Sequence, residues 1–138
     1  MSPDCFLDSN ILVYAAIGQA SWPERHARAR EVIADNDFAI SAQVLQEFFV
    51  SVTRKSREPL SSERARAWLF ELRDRPCVPI DWELVIQGVD IADRYKISYW
   101  DGAIVAAAQR SDAAVLYTED LNHGQLYGSV RAVNPFQV

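Results

Sequence analysis

The stretch "DGAIVAAAQRSDAAVLYTED", Asp101 to Asp120, contains a helix, a turn and a strand. After Asp101 its first half is almost wholly apolar through Ala108, the mark of a helix buried in a core. Its second half carries "AVLYT", a short apolar run of strand-forming residues. A helix that feeds a strand through a short turn is the return half of a parallel crossover. An acid stands at each end of the unit, Asp101 in the first helical turn and Asp120 just past the strand. The start of such a helix and the end of such a strand lie at the same edge of a sheet.

The alternation continues outward. "CFL" is a predicted strand ending at Asp8, and a short helix follows from about Ile11. "WPERHARAREVIA" is a predicted helix with Pro23 in its first turn. "FAIS" is a strand. "AQVLQEFFVSVTRK" places Leu45, Phe48, Phe49 and Val52 on one helical face. "SREPLSSE", Ser56 to Glu63, is the one clear break. There Pro59 disfavours helix before it, and Ser61 or Ser62 can cap the helix that follows. "SSERARAWLFELRD" is a helix, "CVPI" a strand and "WELVIQGVDIADRY" a helix. "SVRAV" is a last extended piece. This pattern predicts a three-layer α/β/α fold with a mostly parallel sheet of about five strands, in a single domain over 1–138.

Bulk properties agree. The chain has 138 residues, 49% hydrophobic and 24% charged, an ordinary globular composition with enough length for a core. No apolar run has the length of a bilayer span, and "MSPDCFLD" lacks the pattern of a secretory leader, so the cytoplasm is the expected location. Cys5 and Cys77 each adjoin a predicted strand and are expected to be buried free thiols. No Cys/His spacing suggests zinc. A net charge of −5 argues against a nucleic-acid binder at the level of the whole chain. The cations are clustered, however: Arg25, Arg28 and Arg30 with His26, then Arg54, Lys55 and Arg57, then Arg64 and Arg66. Each cluster reads first as a solvated helix face and second as a contact to a nucleic-acid backbone.

In parallel sheets, sites gather at the carboxyl ends of the strands. Asp8 and Asp120 each follow a strand directly. Asp101 shares a helical face with Ile104, Val105 and Ala108, which points it at the rim of the sheet. Three acids can therefore converge. Each also has a plain reading. Asp8, Ser9 and Asn10 are all good helix caps, Asp101 suits a helix N-terminus, and Asp120 suits a turn. Crowded carboxylates raise one another's pKa unless something neutralises them. Two or three such oxygen donors suit Mg²⁺ or Mn²⁺. Glu47 lies nearly opposite Leu45, Phe48 and Val52, so periodicity alone places it in solvent. A cleft is also solvent-exposed, and the helical wheel leaves the choice open.

Four stretches together resemble PIN-domain ribonucleases, and within them the VapC-like toxins of bacterial toxin–antitoxin pairs. "FLDSNILVYA" is similar to the family's first strand and its acid. "SAQVLQEFFVSVTRK" resembles the helix bearing its glutamate. "ISYWDGAIVAAAQ" resembles the third motif, and "VLYTEDLNHGQ" the fourth. They run from Phe6 to Gln125 in the family's order. The resemblance implies an acidic site of Asp8, Glu47, Asp101 and Asp120 that binds Mg²⁺ or Mn²⁺, with Asn10 and Thr118 as polar supports. Glu119 is the rival of Asp120. The spacing from the threonine and the alternation of a strand favour Asp120. The resemblance further implies endonucleolytic cleavage of RNA to 5′-phosphate and 3′-hydroxyl ends, a homodimer, and a small antitoxin partner. Trp22, Trp68 and Phe70 are candidate contact residues.

Ser9 has no histidine near it in sequence, and the only histidines are His26 and His123. A nucleophile dyad is therefore not indicated, and metal-activated water is. Three other readings compete. An aspartate-nucleophile phosphohydrolase needs a second aspartate where Asn10 stands. A phosphoacceptor domain needs a late lysine, and the last here is Lys96. A pure binding module would use the acids only as caps.

Overall fold

The computed structural model describes residues 2–137. Six strands form one sheet in the order β3-β2-β1-β4-β6-β5. They are β1 Cys5–Leu7, β2 Phe38–Ser41, β3 Cys77–Val78, β4 Val115–Tyr117, β5 Leu126–Tyr127 and β6 Val130–Val133. All pairings are parallel except β5 with β6. The helices are α1 Ser9–Ile17, α2 Pro23–Asp35, α3 Ala42–Val50, α4 Ser62–Glu71, α5 Trp82–Tyr95 and α6 Tyr99–Arg110. The α/β fold expected from the alternating pattern is the fold observed.

Every residue of β1 and β2 is buried, so both faces of the central sheet are covered. Helix α6 packs over β2, β4 and β6, and α5 packs on α6. Helix α3 packs on β2, with α1 and α4 against it and α2 against α1. The caps fall where sequence chemistry puts them. Asp8, Ser41, Ser61, Asp81 and Ser98 each accept a bond from a backbone N–H in the first turn of α1, α3, α4, α5 and α6. The "SREPLSSE" break is real, and Ser61 is its cap.

The differences from the sequence reading have local causes. The strand expected over "CVPI" is only Cys77–Val78, because Pro76 and Pro79 flank it and cannot donate to a ladder. Cys77 is consequently exposed on this edge strand, against expectation, whereas Cys5 is buried as expected. The helix expected to run on to Lys55 changes at Ser51 into a π-helical turn, Ser51–Lys55. There the Thr53 hydroxyl donates to the Phe49 carbonyl at 2.6 Å. Strand β5 was not foreseen. It forms a hairpin with β6 through Gly128 and Ser129, and Gly128 takes a φ of +62° that the tight turn requires.

Helices α5 and α6 cross at two glycines. A Cβ on Gly102 would sit 2.5 Å from the Gly88 carbonyl oxygen and 3.0 Å from the Ala92 nitrogen. Backbone lies on both sides of that gap, so a methyl group must separate the helices. Gly102 also follows Asp101 directly. Gly102→Ala is expected to destabilise the fold by about 1–3 kcal/mol in urea denaturation, more than the exposed Ala114→Ser control.

Candidate active site

The sheet order places β1 between β2 and β4, so the chain leaves β1 on opposite sides in its two halves. That reversal is a topological switch point, where a crevice opens at the carboxyl ends of the strands. Leu7 pairs with Tyr117 across it, and Asp8 N–H donates to the Tyr117 carbonyl at 3.0 Å. Asp8 and Thr118 thereby become neighbours at the end of the sheet.

Asp8 serves two roles at once. It is the extended cap of α1, with Oδ1 accepting from Ser9 N–H at 2.7 Å. Its Oδ2 accepts from Thr118 Oγ1 at 2.8 Å. The same Thr118 oxygen accepts from the Asp120 backbone N–H at 3.1 Å. One fully buried hydroxyl therefore fixes two of the acids. Asn10 Nδ2 donates to Asp120 Oδ2 at 3.1 Å.

Glu47 is half-buried and faces this network. Its Oε1 accepts from Ser9 Oγ and its Oε2 from Gln43 Nε2, each at 3.2 Å. The Gln43 amide also donates to the Trp100 carbonyl at 3.2 Å, which ties α3 to the start of α6. Asp101 lies in that first turn, where Ser98 Oγ accepts from its backbone N–H at 3.1 Å. Capping of α6 falls to Ser98 and leaves the Asp101 carboxylate for other work. Gln43 was not singled out in the sequence, and Ser9 was weighed there only as a helix cap and as a nucleophile. Gln43 was findable, because it stands one helical turn before Glu47 and shares its helical face.

The acids feel one another. Asp8 is 4% exposed, and its pKa is pushed up to about 7, first by burial and then by the charges of Asp120 and Glu47. The bonds from Thr118 and Ser9 oppose the rise. The Asp101 pKa is also raised, by burial first and by Asp120 as well, against the bond involving Ser98. Among the described residues, none of Asp8, Glu47, Asp101 and Asp120 forms a salt bridge. Glu47 and Asp120 line a cleft of about 370 Å³ with Ser9, Ser51 and Lys55.

Glu119 is held away from this cleft. Tyr14 OH donates to it at 2.8 Å, and Arg25 is its ion-pair partner. The Arg25 guanidinium lies within 5.5 Å of the ring centres of Tyr14, Trp22 and Phe136. Arg28 reaches the Pro135 carbonyl and Glu31. These two members of the first basic cluster are therefore engaged within the protein. So are the histidines: His26 Nδ1 lies 2.9 Å from the Tyr14 carbonyl, and His123 Nδ1 accepts from Asn134 N–H at 3.0 Å. Arg54, Lys55 and Arg57 stay exposed on and after the π-helical turn.

The donors at the crevice are all hard oxygens, which suit a hard divalent cation. Asn10 Oδ1 adds a buried oxygen with no partner among the described residues. No three acidic, histidine or cysteine side chains among the described residues are already close enough to enclose an ion. The acids are gathered at one edge of the sheet but are not drawn together.

The PIN domain family model matches residues 5–128. The chain belongs to the PIN domain family. Among solved structures the fold is similar to VapC20 of Mycobacterium tuberculosis, described as a toxin that cleaves the sarcin-ricin loop. That match has 17% identity and a TM-score of 0.68, over 84% of this chain and 89% of that one. A toxin–antitoxin complex from Klebsiella pneumoniae matches with 20% identity and a TM-score of 0.69, over 97% and 99% of the two chains. DNA-bound VapBC from Salmonella typhimurium matches with 21% identity and a TM-score of 0.61, over 94% and 96%. Comparison with curated proteins finds no match.

The raised pKa of Asp8 has a consequence for stability without metal. The folded PIN domain holds a proton until about pH 7 that the unfolded chain releases near 3.8, so stability falls as pH rises across that window. Asp8→Asn removes the charge. In EDTA it is expected to melt near the wild type at pH 4 and to be more stable than wild type at pH 8, by about 1–3 kcal/mol. Thermal denaturation at the two pH values checks this.

Proposed function

We propose that this PIN domain is a Mg²⁺- or Mn²⁺-dependent endoribonuclease and the toxin of a VapBC-type pair. The observation that carries the reading is that Asp8 feels the charges of Asp120 and Glu47, and Asp101 that of Asp120, while none of the four forms a salt bridge among the described residues. Family membership and the RNA cleavage described for VapC20 support it. In this reading Asp8, Asp101 and Asp120 hold the ion, with Glu47 beside them. A bound divalent ion supplies charge that offsets the phosphate and makes water a better nucleophile. Thr118 sets the separation of Asp8 and Asp120. Asn10 orients Asp120. Glu47, clamped between Ser9 and Gln43, accepts a hydrogen bond from the attacking water and aims it at the phosphorus. Glu119 takes no part, because Arg25 and Tyr14 occupy both of its oxygens.

The partners belong to the same proposal. The chain works in the cytoplasm, is silenced by a small antitoxin and forms a homodimer. Antitoxin binding is supported by the complexes with which it shares its fold. For the dimer, the outer face of α5 is the better candidate. Trp82, Val85, Ile86 and Val89 recur there at helical spacing and are all exposed. Trp68, by contrast, packs on Phe48 with ring centres 5.9 Å apart. In sedimentation velocity the wild type is expected to run as a dimer and Ile86→Lys as a folded monomer.

The decisive experiment is cleavage of total cellular RNA by purified protein, with sequencing of the new ends. Discrete cuts with 5′-phosphate and 3′-hydroxyl ends are expected with Mg²⁺ or Mn²⁺ and none with EDTA. Asp8→Asn and Asp101→Asn are each expected to lower the rate by at least about 100-fold with the fold intact. Full activity in the double variant would sink the assignment.

A further inference from the structure

A second, larger groove of about 620 Å³ adjoins the acidic cleft. Ser51 and Lys55 line both. The two spaces thus meet at the π-helical turn, and Lys55 stands at the junction. Its volume lies within the range of about 300–1,000 Å³ typical of small-molecule sites. We propose that this groove seats the nucleotide next to the cut, with Lys55 on the phosphate between the two spaces. The proposal rests on the nuclease reading for the identity of the polymer, but its geometry does not depend on catalysis.

Three observations point to single-stranded RNA as the occupant. The first is charge. Lys55 is the only cation lining the acidic cleft among the described residues, and the groove adds Arg57 beyond it. Neither forms a salt bridge among the described residues. Glu58 is the one acid on the groove's lining. A backbone leaving the acids thus passes from the ion-binding end to a cationic one.

The second is an aromatic platform. Trp22 lines the groove and remains 53% exposed. Its ring is held by Arg25, at 5.5 Å from the ring centre, and by the edge of Tyr14, at 6.3 Å between centres. A ring fixed in place with half its surface open suits stacking against a base. The third is the backbone. The π-helical turn interrupts the regular advance of α3 over Ser51–Lys55, where π-turns often mark functional sites. It delivers Lys55 to the junction while Val52 stays in the core.

Binding of a single-stranded 2′-O-methyl RNA oligonucleotide in EDTA separates this proposal from the nuclease reading, because no cleavage is needed. Fluorescence anisotropy across a salt series gives affinity and salt slope. Lys55→Gln is expected to weaken binding about fivefold or more and to reduce the salt slope by about one phosphate contact. Trp22→Ala is expected to weaken it about 5- to 100-fold with little change of slope, and Trp22→Phe to restore most of the loss. Lys55 and Trp22 are exposed, and circular dichroism checks that each variant folds. Absent wild-type binding, or unchanged affinity and slope in both Lys55→Gln and Trp22→Ala, overturns the proposal. So does a loss of antitoxin capture in these variants with RNA affinity intact, which would assign the groove to a protein segment. Metal-dependent cleavage with an unresponsive groove leaves the nuclease standing alone. A responsive groove without cleavage leaves the binding site standing alone.

Discussion

The bond from Thr118 Oγ1 to Asp8 Oδ2 is the constraint on which the acidic edge depends. It spans the pairing of β1 with β4, and those strands are far apart in sequence. Neither residue can move without losing a buried partner, and an unsatisfied buried polar group is costly. The same threonine oxygen receives the Asp120 amide, so the loop after β4 is tied to the loop after β1. The position of both acids is therefore a property of the sheet. Helix α6 supplies Asp101 by a different route, through a glycine crossing that admits no side chain. Strand pairing and helix packing thus meet at one point from two directions.

A carboxylate at the start of a buried helix is a costly arrangement, and the cost is visible in the raised pKa of Asp8 and Asp101. Capping offsets part of it for Asp8, whose Oδ1 satisfies the first N–H of α1. Capping does nothing for Asp101, because Ser98 already holds that role. Capping thus accounts for one acid, and for the other the helix macrodipole is the structural explanation that remains. The contrast with Glu119 is instructive. That acid is paired with Arg25 and accepts a hydrogen bond from Tyr14. Among the described residues, none of the four acids at the switch point forms such an ion pair.

Much of this was legible in the sequence, and the reason is burial. The strand and helix runs around Asp8 and Asp101 are apolar because the sheet is covered on both faces, and such runs fix direction and edge. That Asp120 and not Glu119 faces the cleft was also legible, because successive residues leaving a strand face opposite ways. Glu47 was not readable from periodicity. A helical wheel separates core from solvent, but it cannot distinguish bulk solvent from a crevice that a neighbouring strand end closes. Only the bonds from Ser9 and Gln43 decide that, and one of them spans α1 and α3. The π-helical turn and strand β5 escaped for a related reason. Each depends on local hydrogen-bond geometry that leaves the hydrophobic pattern nearly unchanged.

The net charge of −5 raises a problem that the placement of cations resolves. An acidic protein with four carboxyl groups gathered at one edge of its sheet repels a phosphate backbone at long range. Arg25 and Arg28 cannot relieve this, since internal partners already engage them. The cations left free near the crevice lie on the π-helical turn and just after it. They lie within a Debye length only of what is already beside the cleft, because exposed charges are screened over about 8–10 Å. In the proposed function, attraction of RNA is therefore short-ranged and directional. It acts on a strand already lying across Lys55, and the same lysine stands between the acids and the aromatic groove. A divalent ion among the acids would remove the remaining repulsion. In the proposed function the ion would therefore strengthen strand binding, while Lys55 and the groove hold the strand without it.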